Sequence, residues 1–137
     1  MEVIGNLKEP HVITLESHFS VEKGRLTVLE KEKLPFNIKR VYWVTENTNE
    51  HDIKGNQANR EGEILIACLS GEINITLEKA SETKEFILNS PQQLMYIPPM
   101  WWREIEIELG VILLVMSSKE YGKEDLIQDK EVFRKLF

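Results

Sequence analysis

Few residues in this chain are of the types that commonly carry catalysis. Its three histidines, His11, His18 and His51, are too far apart in sequence to bring two imidazoles together on one strand or helix. We therefore predict no metal site from them and interpret His11 and His18 as solvated side chains. The sequence has no nucleophile elbow, no phosphate-binding loop and no dinucleotide-binding fingerprint. The single cysteine, Cys68, lies in an apolar run and is interpreted as a buried core residue rather than a reactive thiol.

His51 lies in a polar segment, Glu46–Glu63, that is rich in Asn, Glu, Gly and Gln. This segment separates two strong strand patterns. A polar connection of this length inside a compact β domain is either a binding loop or a disordered one. His51 is accordingly either a solvated loop residue or a functional group.

An aromatic cluster occupies Tyr96–Arg103, which contains three aromatic residues, two prolines and one arginine. It has two interpretations. In the first, a strand ends in a rigid turn whose tryptophans close a barrel. In the second, the aromatic faces and the arginine bind a ligand that carries a flat ring and a phosphate. The two interpretations are compatible, and the sequence does not choose between them.

A second group of interest is Arg40-Val41-Tyr42-Trp43. On a strand, Arg40 and Tyr42 project to one face, and Val41 and Trp43 project to the other. The Arg40 and Tyr42 face is polar within a strongly apolar chain. Such a face is typical of a barrel interior that holds a polar ligand.

The elements that must position these residues are β-strands nearly throughout. Apolar residues alternate with polar ones in Glu104–Leu109 and in Glu72–Glu78, which predicts half-buried strands. Nearly continuous apolar runs at Glu63–Leu69 and Val111–Met116 predict strands that are buried on both faces. Further strands are predicted at Val12–Leu15, Arg25–Glu30, Lys39–Val44, Phe86–Leu88 and Leu94–Ile97.

The connections between these strands are short and rich in Gly and Pro, so they leave no room for crossover helices. This organisation predicts an all-β sandwich, jelly roll or small barrel. The length of 137 residues predicts a single domain over 1–137. At the end of the chain, the apolar stripe of Lys123–Phe137 predicts one or two short helices.

The composition excludes several classes of function. The chain has 23 acidic and 17 basic residues, for a formal charge of −6, which argues against general nucleic-acid binding. A single cysteine allows neither an intrachain disulfide nor a cysteine-built zinc site. No apolar run approaches the roughly 20 residues of a membrane span, and the first residues do not resemble a signal peptide. We therefore expect a cytoplasmic protein that does not associate with membranes.

Several short segments, taken in order, resemble the sugar 3,4-ketoisomerase family, also called WxcM-like, which is a branch of the cupins. The similarity begins near the Lys23-Gly24 turn and spans most of the chain. Its segments are Pro35–Tyr42, Lys54–Asn59, Ala67–Gly71, Asn89–Pro91, Tyr96–Pro99, Trp102–Glu104 and Lys123–Ile127. No single segment is diagnostic, but their order and spacing together are specific for the family.

The resemblance implies a cupin-type jelly-roll β-barrel with a short C-terminal helical segment. Members of the family act on thymidine-diphosphate-linked 4-keto-6-deoxy sugars and move the ketone from C4 to C3 for deoxysugar biosynthesis. The resemblance further implies a homodimer with exchanged strands, no required metal and no cofactor.

The chain departs from the family at its catalytic loop. The family pattern is Arg-Gly-x-His-Ala-His, whereas this sequence has Lys54-Gly55-Asn56-Gln57-Ala58-Asn59. By this resemblance, Gln57 and Asn59 occupy the positions of the catalytic histidine pair. Imidazole titrates near neutral pH and an amide does not, so the amides preserve hydrogen bonding while removing proton transfer.

The resemblance also points to residues that would bind the substrate. Arg40, Lys54 and Arg103 would neutralise a diphosphate. Tyr42 and Tyr96 would reach the sugar, and Trp101 or Trp102 would stack on the thymine. Lys23 stands where family members differ, and it is taken as a candidate that lines the pocket.

Three functions follow from these observations. The first is a binding protein for a thymidine-diphosphate keto sugar in which the standard isomerase chemistry is weakened or lost. The second is an active ketoisomerase in which His51 or Glu104 replaces the histidine pair, with Glu104 acting as a buried carboxylate of raised pKa. A solvent-facing Glu104 is the simpler interpretation of its strand. The third is an oligomerisation or interaction module that binds no nucleotide.

Overall fold

The structure, a computed structural model, describes residues 9–48 and 52–137. Over these residues the chain forms twelve β-strands and one short α-helix, α1 (Lys130–Arg134). The strands are β1 (His11–Thr14), β2 (Glu16–Ser20), β3 (Gly24–Val28), β4 (Arg40–Val44), β5 (Asp52–Asn59), β6 (Ile64–Ser70), β7 (Ile73–Lys79), β8 (Glu82–Leu88), β9 (Gln93–Ile97), β10 (Trp102–Ile107), β11 (Ile112–Ser117) and β12 (Leu126–Ile127). Two 3₁₀ turns, Lys31–Lys33 and Lys123–Asp125, complete the regular structure of this part of the chain.

The strands form two five-stranded sheets, one in the order β1-β9-β6-β11-β4 and the other in the order β12-β5-β10-β7-β8. Neighbouring strands are antiparallel in every pair of the two sheets. One apolar core contains buried side chains from both sheets, including Ile66 of β6, Ile75 of β7 and Ile105 of β10. The predicted all-β jelly roll is confirmed.

The period-two pattern places the predicted apolar residues in this core. Ile105 and Ile107 of β10 are buried, and they lie opposite Ile75 and Ile73 of β7. The prediction fails at Leu109, because β10 ends at Ile107 and Leu109 lies in the following turn with 60% of its surface exposed. The face of a residue is therefore predicted by alternation only as far as the strand extends.

The polar segment Glu46–Glu63 is not mainly a loop, and that prediction was wrong. Residues 52–59 form β5, which pairs with β10 on one side and with β12 on the other. Strand β5 lacks the usual apolar alternation because its inward residues line a polar cavity instead of the core. The 3 residues that precede β5, which include His51, lie outside the described residues.

Two elements lie outside the sandwich. Strands β2 and β3 form a hairpin that, among the described strands, pairs only within itself. The C-terminal region folds back over the second sheet, where Phe133 of α1 is fully buried and its ring packs against Trp102. Asp129 caps α1 by accepting hydrogen bonds from the backbone N–H groups of Glu131 and Val132. None of the described helices is long and apolar enough to cross a membrane.

Candidate functional site

A cavity of about 200 Å³ opens where β4, β5 and β10 meet the segment that follows β11. A second cavity of about 160 Å³ lies deeper in the barrel and shares Tyr42, Gln57 and Arg103 with the first. The polar and charged residues that line the outer cavity are Arg40, Tyr42, Gln57, Asn59, Arg103, Ser117, Lys119, Glu120, Tyr121, Asp125 and Gln128. The second cavity, called the inner cavity below, has Lys54, Gln57 and Arg103 among its lining residues, and most of the others are apolar.

Strand β4 contributes an arginine and a tyrosine through simple alternation. Arg40 and Tyr42 face the outer cavity, whereas Val41 and Trp43 are 47% and 67% exposed on the other face. The Arg40 guanidinium lies 4.5 Å from the centre of the Tyr42 ring and 5.3 Å from that of the Tyr121 ring. Two aromatic rings therefore hold this cation at the cavity wall.

Strand β5 presents Gln57 and Asn59 to the same cavity by means of a β-bulge. Arg103 of β10 pairs with Gln57, and the next residue of β10 pairs with Gly55, so Asn56 has no partner across the ladder. Gly55 and Asn56 both have positive φ, 88° and 50°. A Cβ at Gly55 would lie 3.0 Å from the carbonyl oxygen of Arg103, so only glycine allows the two strands this approach.

The most deeply buried charge of the site is Arg103, which is only 4% exposed. Its Nη1 donates a hydrogen bond of 2.8 Å to Oδ1 of Asn59. Burial lowers the pKa of the guanidinium, while Tyr42 and Asp125 raise it. An arginine remains protonated under these influences, so the cavity contains a fixed positive charge.

Asp125 supplies the nearest buried negative charge. It accepts hydrogen bonds from Asn59 Nδ2 (2.9 Å), from the backbone N–H of Glu61 (2.8 Å) and from that of Gly62 (3.2 Å). The ammonium of Lys119 lies 3.9 Å from Asp125 and 3.1 Å from Glu61. Asp125 is thus engaged by protein groups on several sides.

The cations of the two cavities suit an anionic ligand. Arg40, Arg103 and Lys119 line the outer cavity, and Lys54 lines the inner one, where it pairs with Asp52 at 2.9 Å. Arginine forks and lysine ammonium groups are the usual protein partners of phosphate oxygens. In the described part of the chain, no group of three or more His, Cys, Asp or Glu residues is placed to hold a metal ion.

Three aromatic residues that the family resemblance assigned to the site lie elsewhere. Tyr96 points to the outer face of its sheet, where it packs among apolar residues and its hydroxyl donates to Glu63 at 2.6 Å. Trp102 projects to the outer face of β10, and its Nε1 donates to Glu104 at 3.0 Å. Trp101 is buried in the central core. The structure therefore assigns the Tyr96–Arg103 tryptophans to packing, and Arg103 is the residue of that cluster that reaches the cavity.

Glu104 also lies outside the cavity, and the raised pKa considered for it is wrong. Its carboxylate accepts hydrogen bonds from Lys130 Nζ and Trp102 Nε1, each at 3.0 Å. The hydrogen bond from Lys130 is the main cause of the lowered pKa of Glu104, and the bond from Trp102 adds to it. The residue faces outward because it is one position out of phase with Arg103 and Ile105, which face the interior.

Two other predicted site residues are not placed in the cavity. Lys23 is exposed at the turn of the β2–β3 hairpin and does not line either cavity of its own chain. His51 lies outside the described residues. Sequence reasoning also did not identify Lys119, Tyr121 and Asp125, which line the outer cavity. Asp125 lies in Lys123–Ile127, one of the segments that carry the family resemblance, but its charge alone did not distinguish it.

Comparison with known proteins agrees with this fold. The family model described as FdtA: WxcM-like, C-terminal matches residues 8–137. TDP-4-oxo-6-deoxy-α-D-glucose-3,4-oxoisomerase of Aneurinibacillus thermoaerophilus is 30% identical over 115 residues, which cover 82% of each chain.

Two solved structures are similar along nearly the whole chain. One is a His-to-Asn variant of the 3,4-ketoisomerase QdtA from Thermoanaerobacterium thermosaccharolyticum in complex with TDP-4-keto-6-deoxyglucose. It has a TM-score of 0.86 and 29% identity, and the match covers 93% of this chain and 92% of that chain. The other is a 3,4-ketoisomerase from Helicobacter canadensis, with a TM-score of 0.87, 28% identity and coverage of 93% and 96%.

A jelly-roll barrel with a cationic, amide-lined cavity at one end is a cupin-type small-molecule site. The extent of the matches narrows this class further. The chain belongs to the WxcM-like sugar 3,4-ketoisomerase family.

The outward position of Glu104 generates a test. The variant Glu104→Gln should lower the free energy of unfolding near pH 7 by about 1 kcal/mol or less, because it weakens a partly exposed ion pair. A carboxylate of lowered pKa stabilises the fold above its unfolded pKa, and this contribution is lost as the pH falls through the lowered value. Urea unfolding should therefore show the difference from wild type at about pH 7 and much less of it at about pH 3.

The matched control is Glu85→Gln, at an exposed position on the same sheet, and it should show little change at either pH. A destabilisation by Glu104→Gln that is as large at about pH 3 as at about pH 7 would contradict this account.

Proposed function

We propose that this chain binds a thymidine-diphosphate-linked keto sugar and that its standard ketoisomerase chemistry is weakened or absent. The observation that carries the proposal is the outer cavity, where two arginines meet the two carboxamides that replace the family histidines. Arg40 and Arg103 would bind the diphosphate, and Lys54 lines the inner cavity together with Arg103. Tyr42 and Gln57 lie between the two cavities, where they would contact the sugar.

A relative supports binding after a histidine is replaced by a carboxamide. The QdtA variant that resembles this chain carries asparagine in place of a histidine and was obtained in complex with TDP-4-keto-6-deoxyglucose. This chain has Asn59 at one of the positions where the resemblance implies a histidine. The replacement of imidazole by carboxamide is thus compatible with retention of a sugar nucleotide in this fold.

The expected loss concerns proton transfer. Moving a ketone from C4 to C3 requires a proton to leave C3 and another to reach C4, by way of an enediol. Gln57 and Asn59 can donate and accept hydrogen bonds, but neither takes up a proton near neutral pH. Glu104, one of the two substitutes considered, faces away from the cavity and is bonded to Lys130. We therefore favour binding over catalysis with a replacement acid or base.

Binding is tested with thymidine diphosphate. Wild-type protein should release or absorb heat on titration in a calorimeter and should melt at a higher temperature with millimolar ligand. Arg40→Ala should weaken the affinity by about 10–100-fold, as expected for the loss of a charge-assisted hydrogen bond of about 1.5–3 kcal/mol. Arg60→Ala removes the same charge from an exposed position that does not line the cavity, and it should leave the affinity nearly unchanged.

The absence of both heat and thermal shift in the wild-type protein would overturn the proposal. It would favour the interaction module that binds no nucleotide. Equal weakening by Arg40→Ala and Arg60→Ala would instead show that binding depends on overall charge and not on this cavity.

Restoration of the histidine pair tests the catalytic part. The double variant Gln57→His with Asn59→His should exchange the C3 proton of TDP-4-keto-6-deoxyglucose in heavy water, which NMR detects as deuterium at C3. We expect a rate about 10²–10⁴ times that of wild type, the usual contribution of a general acid or base.

The two single variants serve as controls and should each fall below the double variant. Rapid exchange by the wild-type protein would show that another group already transfers the proton. A folded double variant that binds thymidine diphosphate but gives no exchange would mean that the cavity takes a different sugar.

We also propose that the chain forms the homodimer with exchanged strands that the family resemblance implies. Among the described strands, the β2–β3 hairpin has no neighbour, and it exposes Phe19, Val21 and Leu26 at 62%, 92% and 63%. Nearby, an apolar groove of about 180 Å³ on the outer face of the first sheet includes Leu69 and Leu94. A second copy of the chain would cover both surfaces. Lys23 of each copy would then lie within reach of the other copy's cavity.

Sedimentation equilibrium tests the dimer. Wild-type protein at micromolar concentration should have twice the mass of the chain, and Phe19→Asp with Leu26→Asp should shift it toward monomer because two charges would be buried in the interface. Val132→Asp is the control, since Val132 is 48% exposed on α1, away from the hairpin, and the variant should stay dimeric. A monomeric wild-type protein would contradict this part of the proposal.

A further inference from the structure

We propose that Asn59 is a positioning residue that fixes the Arg103 guanidinium for the ligand by linking it to the buried carboxylate of Asp125. This inference rests on the proposed binding function, which it deepens by giving a role to one of the amides that replace the histidines. The chain of contacts runs from Asp125 to Asn59 at 2.9 Å and from Asn59 to Arg103 at 2.8 Å.

The chemistry of the two neighbours fixes the orientation of the Asn59 amide. An ionised carboxylate only accepts hydrogen bonds, and a guanidinium only donates them. The amide therefore has to direct Nδ2 to Asp125 and Oδ1 to Arg103, as it does. Turning the amide over would place two donors together at Arg103 and two acceptors together at Asp125. Asn59 is 8% exposed, so water does not readily replace either bond.

The far end of the chain of contacts is anchored to the backbone. Asp125 accepts from the N–H groups of Glu61 and Gly62, which follow β5 after Arg60. A Cβ at Gly62 would lie 2.9 Å from Oδ2 of Asp125 and 3.1 Å from Nδ2 of Asn59. The carboxylate and the amide occupy the space that any other side chain at residue 62 would need. This close packing holds the carboxylate at a fixed distance from β5.

The near end of the chain of contacts faces the ligand. Arg103 lines both cavities, and the bond to Asn59 uses one of the five N–H groups that a guanidinium carries. The N–H groups directed into the cavities are then held in a constant direction for phosphate or carbonyl oxygens. A donor that is oriented before binding loses less freedom on binding, which strengthens the interaction.

Position 59 therefore carries a structural task that is separate from proton transfer. The amide is neutral and does not titrate, so it keeps Arg103 in one orientation at any moderate pH. Gln57 provides the contrast within the same strand. Its Oε1 accepts a long hydrogen bond of 3.5 Å from Gln128 Nε2 at an exposed position, and within residues 9–48 and 52–137 no pair of bonds like that of Asn59 restrains it.

A double-mutant cycle with thymidine diphosphate tests the coupling. Asn59→Ala should weaken the affinity by about tenfold in the wild-type background, a coupling of the size that contacting residues show. In an Arg103→Met background, the same substitution should change the affinity by less than about twofold, because the group it positions is absent. If Asn59→Ala weakens the affinity by the same factor in both backgrounds, the proposal is wrong. Gln57→Ala is the control, and its effect should not depend on Arg103.

A measurement without ligand separates this inference from the binding proposal. In side-chain ¹⁵N NMR spectra, the Nη protons of Arg103 should give separate, slowly exchanging signals that are identified by their loss in Arg103→Met. Asn59→Ala should merge or broaden them, whereas Gln57→Ala should leave them unchanged. Unchanged Arg103 signals in folded Asn59→Ala protein would refute the positioning role. Restrained signals in a wild-type protein that binds no thymidine diphosphate would refute the binding function alone.

Discussion

The site depends on keeping one guanidinium charged inside a β-barrel. Arg103 is buried, and a buried cation without partners costs several kcal/mol, of the order of the net stability of a small domain. The compensation comes through Asn59 from Asp125, which is itself satisfied by two backbone N–H groups. Because these groups come from β10, β5 and the segment after β11, the cavity exists only when three distant parts of the chain are in place.

Backbone geometry makes this arrangement available. The bulge at Gly55 and Asn56 changes which residues of β5 face inward and lets the strand approach β10 closely. If β5 paired with β10 without the bulge, the alternation beyond Gly55 would be shifted by one position, and Gln57 and Asn59 would face outward. The same strands therefore line the polar cavity at one end and the apolar core at the other. The bulge on β5 sets which residues of that strand face the polar cavity.

Much of the fold was predictable from the sequence, because its core strands either alternate apolar and polar residues, as β7 and β10 do, or are nearly continuous apolar runs, as β6 and β11 are. The alternation of inward and outward residues also indicates which side chains of β10 can reach the site. Counting back by twos from Ile107 leads to Arg103 inside, and counting back by twos from Glu106 leads to Glu104 and Trp102 outside. Tyr96 gave no such signal, since β9 is buried on both faces. Strand β5 was missed because its inward face is polar, and Asp125 was missed because it joins the site through tertiary contacts alone.

The two amides separate two requirements that a catalytic histidine meets together. Holding a ligand in this cavity would depend on fixed charges and on hydrogen bonds of constant direction, and Arg40, Arg103 and Asn59 can supply these. Moving a ketone along the ring depends on a group whose protonation changes near the working pH. A carboxamide has the donor and the acceptor of a neutral imidazole but not its titration. Replacing one by the other can therefore leave folding and recognition intact while it removes the proton carrier, because these properties belong to different features of the same side chain.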